Sequence, residues 1–400
     1  MPAPAALRDR HAGLYLHIPF CSAICPYCDF AVTLGGAERR ARFVSHLVTE
    51  VEMWRGVPLA FDTVYFGGGT PSALAPREIE TILDAVRGSL DVAADAWLFL
   101  EANPEDVTVE SVAAWRGLGV RTLSLGVQSF DARALQFLGR RHSAETARRS
   151  VLLAREAGFH TVSLDLIYGL LGETPEAFRR SLDAAISLAP DHLSCYQLTI
   201  HDGTLFGVRA ARGELAELPE PEQADLFAFT HAYLADHGYP AYEISNFARG
   251  ADHRSRHNRK YWDHTPYLGL GPSAHSLIAA RRFWNERRLA AYEKRVAGGE
   301  KPIADGEDLS RVQLALEALM LGLRTTDGVD LGRFRERYGV DLLAGNGSLV
   351  ERLVREGFVA LSGSALAPTR RGLAVADALA RGFAIDGDAG DVGGIGDKGA

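Results

Sequence analysis

Six short apolar runs, separated by longer amphipathic stretches, fill the first half of this 400-residue chain, and that alternation limits its fold more than any other feature. The runs are Leu14–Phe20, Thr63–Phe66, Trp97–Ala102, Thr122–Val127, Thr161–Leu170 and Leu193–Ile200. Helical spacing lies between them, over Glu38–Trp54, Pro76–Ser89, Val109–Leu118, Ala144–Ala157 and Glu176–Leu188. Strands separated by helices pair in parallel through right-handed crossovers. Near-continuous apolar strands predict a sheet covered on both faces. Six such units can form an open sheet or a partial barrel.

Polar residues recur where the predicted strands end. Gly67-Gly-Gly-Thr-Pro71 follows the second, Glu101 and Asn103 close the third, Gln128 closes the fourth, and Asp165 lies in the fifth. In barrels of βα units, chemistry collects at the carboxyl ends of the strands. A single Glu or Gln there would be an ordinary cap. A succession of them aims functional groups at one mouth and favours the partial barrel.

The loop after the first strand carries Cys21, Cys25 and Cys28, in the spacing Cys-x3-Cys-x2-Cys. Three thiolates on one loop can hold three corners of an iron–sulfur cube and leave the fourth iron free for a small molecule. The competing reading is structural zinc, which wants four ligands and usually shows two separated pairs; the nearest fourth ligands would be His17 and Asp29. Disulfides are disfavoured by four cysteines in 400 residues and by a start without an apolar leader. Together these predict a reducing, cytoplasmic setting. No apolar run reaches membrane-spanning length. The net charge of −8 argues against broad nucleic-acid binding.

Beyond the barrel pattern the sequence is less regular. Residues 1–12 read as a lead and 13–205 as the barrel. Residues 206–300 read as an extension, with a helix over Glu222–His237 and an irregular, aromatic-rich stretch from Tyr239 to Asn285. Residues 301–383 read as a separate unit. It opens on an amphipathic helix, Leu309–Leu323, followed by helices at Leu331–Tyr338 and Ser348–Glu356, a hairpin over Phe358–Pro368 and a helix at Arg371–Phe383. That order is winged-helix-like and predicts a packing or lid domain. The Gly/Asp-rich remainder, 384–400, reads as a disordered tail.

From Leu14 to Phe383 these residues resemble the radical S-adenosylmethionine (SAM) proteins. The cysteine loop and the Gly-Gly-Gly-Thr-Pro turn carry the likeness. More narrowly, His17-Ile-Pro-Phe-Cys21, Glu101-Ala-Asn-Pro104, Gly126-Val-Gln-Ser-Phe130 and Asp165-Leu-Ile-Tyr-Gly169 resemble one branch. It contains anaerobic coproporphyrinogen III dehydrogenase and the HemW-type haem chaperones. The resemblance implies an α/β fold: a partial (β/α)6 TIM-like barrel with a C-terminal winged-helix-like domain. It implies a [4Fe–4S] cluster on Cys21, Cys25 and Cys28, whose fourth iron is chelated by the amino and carboxylate groups of SAM. An electron from the cluster can then cleave the sulfonium C–S bond. Gly68, Gly69 and Thr70 would line SAM, Tyr15 would pack beside it, and Glu101, Gln128, Arg140 and Asp165 match SAM-contact positions. Read without the resemblance, Arg140 belongs to a solvated run, Gly139-Arg-Arg-His142.

Two features divide the branch. The dehydrogenase carries a further cysteine two positions after the third, where this chain has Phe30, and a long extension before the cluster strand, where this chain has about a dozen residues. Both departures count against porphyrinogen decarboxylation. By contrast, His257-Asn-Arg-Lys-Tyr-Trp262 matches the His-Asn-x-x-Tyr-Trp motif of the chaperones. The resemblance therefore implies haem as cargo, with His257 as its axial ligand and His253, His264 and His275 as nearby competitors. It also implies haem-acceptor proteins, respiratory ones among the candidates, and an electron donor of the flavodoxin or ferredoxin type. No nucleic-acid partner is expected. Read by itself, His257 is a structural residue among core aromatics, and Cys195, in mid-strand, is a small buried hydrophobe.

Overall fold

The computed structural model describes residues 11–385. The lead before residue 11 and the tail from residue 386 lie outside the described residues. The described chain divides into two compact units, with the boundary between Glu307 and Asp308.

The first unit is built on an 11-stranded sheet. Its first six strands are β1 (Ala12–Ile18), β2 (Ala60–Gly68), β3 (Asp91–Ala102), β4 (Val120–Gln128), β5 (Thr161–Tyr168) and β6 (His192–Gln197). They lie side by side in chain order and pair in parallel. The longer helices between them are α1 (Ala37–Met53), α2 (Pro76–Ser89), α3 (Val109–Gly117), α4 (Ala144–Glu156) and α5 (Pro175–Ser187). Side-chain caps fix several starts: Thr108, Ser143 and Thr174 accept from backbone N–H groups in the first turns of α3, α4 and α5. This is the expected α/β partial barrel. Leu14, Leu16, Val64, Phe66, Leu98, Leu100, Leu123, Leu125, Leu164 and Leu166 form its buried seam against the helices.

The aromatic-rich stretch is more ordered than its composition suggests. After α6 (Leu205–Ala211) and α7 (Glu220–Asp236), it forms β7 (Asn246–Ala248), a short helix α8 (Arg256–Trp262), β8 (Tyr267–Leu270), β9 (His275–Ile278) and β10 (Arg281–Asn285). Strand β7 runs antiparallel to β6. Strand β8 runs parallel to β1, and β9 and β10 continue antiparallel, with β11 (Ile303–Asp308) at the edge. Both flanks of the barrel are thereby extended. The turn after β8 is fixed from below by Glu50 of α1. Its buried carboxylate accepts from Gly271 N (2.8 Å), Asn285 Nδ2 (2.6 Å) and Tyr292 Oη (2.7 Å).

The second unit has its own core, including Leu319, Phe334, Val350 and Leu366. Helices α9 (Arg311–Gly322), α10 (Leu331–Tyr338) and α11 (Leu342–Arg355) precede the hairpin of β12 (Val359–Ser362) and β13 (Ala365–Pro368), in winged-helix order. Helix α11 begins at Leu342, six residues earlier than predicted, because Asp341 caps it by accepting from Leu343 N and Ala344 N. The last predicted helix is two short pieces, Arg370–Leu373 and Ala376–Arg381.

Candidate functional site

Cys21 ends a two-residue strand, Phe20–Cys21, that pairs with Thr33–Leu34 and so pins both ends of the cysteine loop. The Gly-Gly-Gly turn is pressed against the start of this loop. Gly69 N donates to Ile18 O at 2.8 Å, and a Cβ on Gly69 would lie 2.8 Å from Phe20 O. Gly68 has φ +109, and a Cβ there would lie 2.6 Å from the His17 ring. Glycine is required at both positions for the two loops to approach.

Two of the three sulfurs are joined by a chain of hydrogen bonds. Thr70 Oγ1 donates to Cys21 Sγ (3.5 Å) and accepts from Asn103 Nδ2 (3.3 Å). Asn103 Oδ1 accepts from Arg140 Nη2 (2.6 Å), and Arg140 Nη1 donates to Cys25 Sγ (3.4 Å). Asn103 therefore joins Cys21 to Cys25 through two donors. Burial pushes the Cys21 thiol up and the Cys28 thiol to about 11. Three thiolates side by side would need cationic compensation, which Arg140 offers in part and a bound metal would complete.

Of the twelve residues expected to bind a group, ten line one cavity of about 410 Å3 at the carboxyl ends of the strands: Cys21, Cys25, Cys28, Gly68, Gly69, Thr70, Glu101, Gln128, Arg140 and Asp165. Glu101 Oε1 accepts from Tyr65 Oη (2.7 Å) and its Oε2 from Gly68 N (3.2 Å). Burial still raises its carboxyl to about 7. Asp165 accepts from Ser124 Oγ at 3.2 Å and is raised by burial to about 6. Gln128 adopts φ +65, a conformation uncommon for residues other than glycine, at the end of β4.

Arg140 corrects the solvated reading of its run. It is folded inward, and its Nε is buried with no hydrogen-bond partner among the described residues. Asn103 was legible as a strand-end residue but not as the bridge. Its signal was its place two residues after Glu101, which puts both on one side of the strand's end.

Two expected residues are elsewhere. Tyr15 lines an adjoining cavity of about 320 Å3, which shares Asp29, Phe30 and Gly68 with the first. His257, expected as a haem ligand, lies in the core at the other end of the barrel. Helix α8 packs at the amino ends of β1 and β2, tied there by Lys260 Nζ to Asp62 Oδ1 (2.7 Å) and to His11 O (2.6 Å). His257 is 1% exposed, and both ring nitrogens are engaged, Nδ1 with Thr63 Oγ1 (2.9 Å) and Nε2 with Tyr261 Oη (2.8 Å). Among its competitors, His253 Nδ1 is engaged by Thr161 Oγ1 at 3.0 Å, and His264 is buried. His275 is exposed. Cys195 is buried in β6, as expected.

The donor set fits a three-cysteine cluster with a ligand beside it. Three thiols and two donors to sulfur face a cavity that also holds two raised carboxyls and a buried guanidinium nitrogen without an acceptor. Anionic and hydroxyl groups of a small ligand would satisfy these.

Residues 15–185 match the family model of the radical SAM superfamily, and residues 309–375 that of the HemN C-terminal domain. A protein named "Heme chaperone HemW" from Mycobacterium tuberculosis is 37% identical over 387 residues, covering 95% of this chain and 97% of the relative. Its namesake from Bacillus subtilis is 33% identical over 363 residues, covering 90% and 95%. Among solved structures, the radical SAM coproporphyrinogen III oxidase HemN of Escherichia coli superposes with a TM-score of 0.81 at 25% identity, covering 94% of this chain and 91% of that one.

Proposed function

Because the chain belongs to the radical SAM superfamily, in the HemN-like branch close to HemW, we propose that it is a haem chaperone. It binds haem and passes it to acceptor proteins while carrying a [4Fe–4S] cluster on Cys21, Cys25 and Cys28 and an exchangeable SAM. The observation that carries this reading is the 37% identity over 95% of the chain to a relative named as a haem chaperone. When bound, the cluster and SAM would supply reductive cleavage of a sulfonium C–S bond. The chain's own residues bind and orient. Gly68 and Gly69 admit the ligand's backbone-like end, Arg140 Nε suits its carboxylate, and Glu101 and Asp165 suit ribose hydroxyls.

The likeness to coproporphyrinogen III oxidase keeps an oxidase as the second reading. Phe30, 61% exposed where the dehydrogenase is expected to carry a further cysteine, favours the chaperone. The proposed location is the cytoplasm, and the proposed reductant is a flavodoxin or ferredoxin. Anaerobic reconstitution followed by titration with haemin tests the reading. Stoichiometric uptake with a discrete absorption band, followed by transfer to an apo-haemoprotein, is expected. Uptake no better than that of an unrelated protein overturns it.

A further inference from the structure

Thr70 heads the short helical turn Pro71–Ala73, a place where a threonine oxygen ordinarily accepts from the backbone N–H groups just ahead. The Thr70 hydroxyl makes no such cap. It is buried and turned between two other residues: its oxygen accepts from Asn103 Nδ2 at 3.3 Å, and its proton goes to Cys21 Sγ at 3.5 Å. A hydroxyl proton is free to rotate, so the group at its oxygen decides where it points. Here that group is the Asn103 amide, and its own direction is fixed in turn. A guanidinium only donates, so the Asn103 atom 2.6 Å from Arg140 Nη2 is the amide oxygen. The amide nitrogen, left facing Thr70, only donates as well. Resting on the cluster reading above, we propose that Asn103 is a positioning residue, which fixes the direction of a hydrogen-bond relay from Arg140 through Thr70 to Cys21 and thereby sets how readily the cluster is reduced.

Each link has one permitted direction. Arg140 offers no lone pair, the amide presents its oxygen to one side and its N–H to the other, and the threonine has a single proton, whose one acceptor among the described residues is Cys21 Sγ. Reduction brings one electron onto the cluster, from the carrier protein proposed above, and adds negative charge to its sulfurs. A donor held on a sulfur stabilises that state, so the relay raises the potential. Burial of Thr70 strengthens the effect, because hydrogen bonds in a low dielectric polarise one another along a chain. The backbone of Asn103 is pinned as well: its N–H donates to Ser72 Oγ (3.1 Å), which donates to Asp106 Oδ2 (2.7 Å). Among the described residues Asn103 makes no hydrogen bond to a sulfur itself. It acts on Cys21 through Thr70 and on Cys25 through Arg140.

The test is a double-mutant cycle read at the cluster. Wild type, Asn103→Asp, Thr70→Val and the double variant are reconstituted anaerobically as full chains, and each midpoint potential is measured by redox titration with electron paramagnetic resonance. Asn103→Asp keeps the side chain's shape but puts an acceptor where the donor was, so the Thr70 hydroxyl turns to the new carboxylate and leaves Cys21 Sγ. The added charge lowers the potential in both backgrounds, and the relay is the excess seen only with threonine at position 70. There, Asn103→Asp is expected to lower the equilibrium constant for reduction roughly tenfold more than it does with valine, about 59 mV for a one-electron couple. Where the aspartate variant fails to hold iron, Asn103→Leu replaces it in the same cycle, with a smaller fall expected and again a larger one beside threonine. Equal shifts in the two backgrounds overturn the relay while the cluster stands. If wild type takes up no four-iron cluster, the three-cysteine reading falls and this inference with it.

Discussion

The guanidinium of Arg140 donates to the sulfur of Cys25 at 3.4 Å. The contact depends on Gly139, at φ +67, where a Cβ would lie 2.7 Å from Pro26 Cδ. Only glycine lets this turn close on the cysteine loop, and the closure swings Arg140 inward. Its Nη2 donates to both Asn103 Oδ1 and Gly126 O, so one cation joins the loop after β1 to the ends of β3 and β4.

Arg140→Met should weaken SAM binding by roughly 10- to 100-fold, because it removes the buried Nε donor and loosens the loop together. Arg140→Lys keeps the charge but not the fork, and should recover only part of the loss. Equilibrium dialysis of SAM against reconstituted protein decides it. Equal affinities in all three proteins would remove Arg140 from the site.

Thr70→Val removes the donor to Cys21 Sγ at nearly constant volume. Hydrogen bonds to cluster sulfur stabilise the reduced, more negative state, so the variant's midpoint potential should fall. A redox titration followed by electron paramagnetic resonance reads the shift. An unchanged or higher potential would count against Cys21 as a ligand in this geometry.

Gly68→Ala should destabilise the chain by about 2–4 kcal/mol, combining backbone strain at φ +109 with a clash against the His17 ring. The ring cannot swing away freely, since Nδ1 is bonded to Tyr15 Oη (3.2 Å) and Nε2 to Ala31 O (2.9 Å). Gly36→Ala, at φ −76 and in open space, serves as the control and should change stability little. Denaturant melts of both variants, with iron counted per chain after reconstitution, make the comparison.

The barrel was legible because its strands are buried on both faces, so apolar runs and strands coincide; β1, for example, is buried at every position except Tyr15. The cysteine loop stood out because three cysteines within eight positions carry their own chemistry. What could not be read depended on distant partners. Helix α8 spans seven residues and owes its place to Asp62 and His11 at the barrel's amino edge, neither marked in the local sequence. Strands β8 to β10 are four or five residues long and punctuated by glycine, too short for a period to emerge. The partners of His257, Thr63 and Tyr261, were hidden for the same reason. A motif names a residue type, while its neighbours decide whether the imidazole is offered or consumed.

His257→Phe separates those two roles through pH. In the folded chain burial holds this imidazole down to about 3, whereas in the unfolded chain it titrates near its ordinary 6.5. The unfolded state therefore takes up a proton that the folded state refuses. The stability that the neutral, bonded ring contributes is present above pH 6.5 and is lost as pH falls from there toward 3. At pH 7.5 the variant should be less stable by roughly 2–4 kcal/mol, since the Thr63 and Tyr261 hydroxyls lose their partner inside the barrel. As pH falls to 5 the gap should narrow, because the variant has no such proton to exclude. Urea melts of apo wild type and variant across this range measure it. A gap that stays constant or widens toward acid would mean that His257 is not held as a neutral core residue, and would reopen it as a ligand.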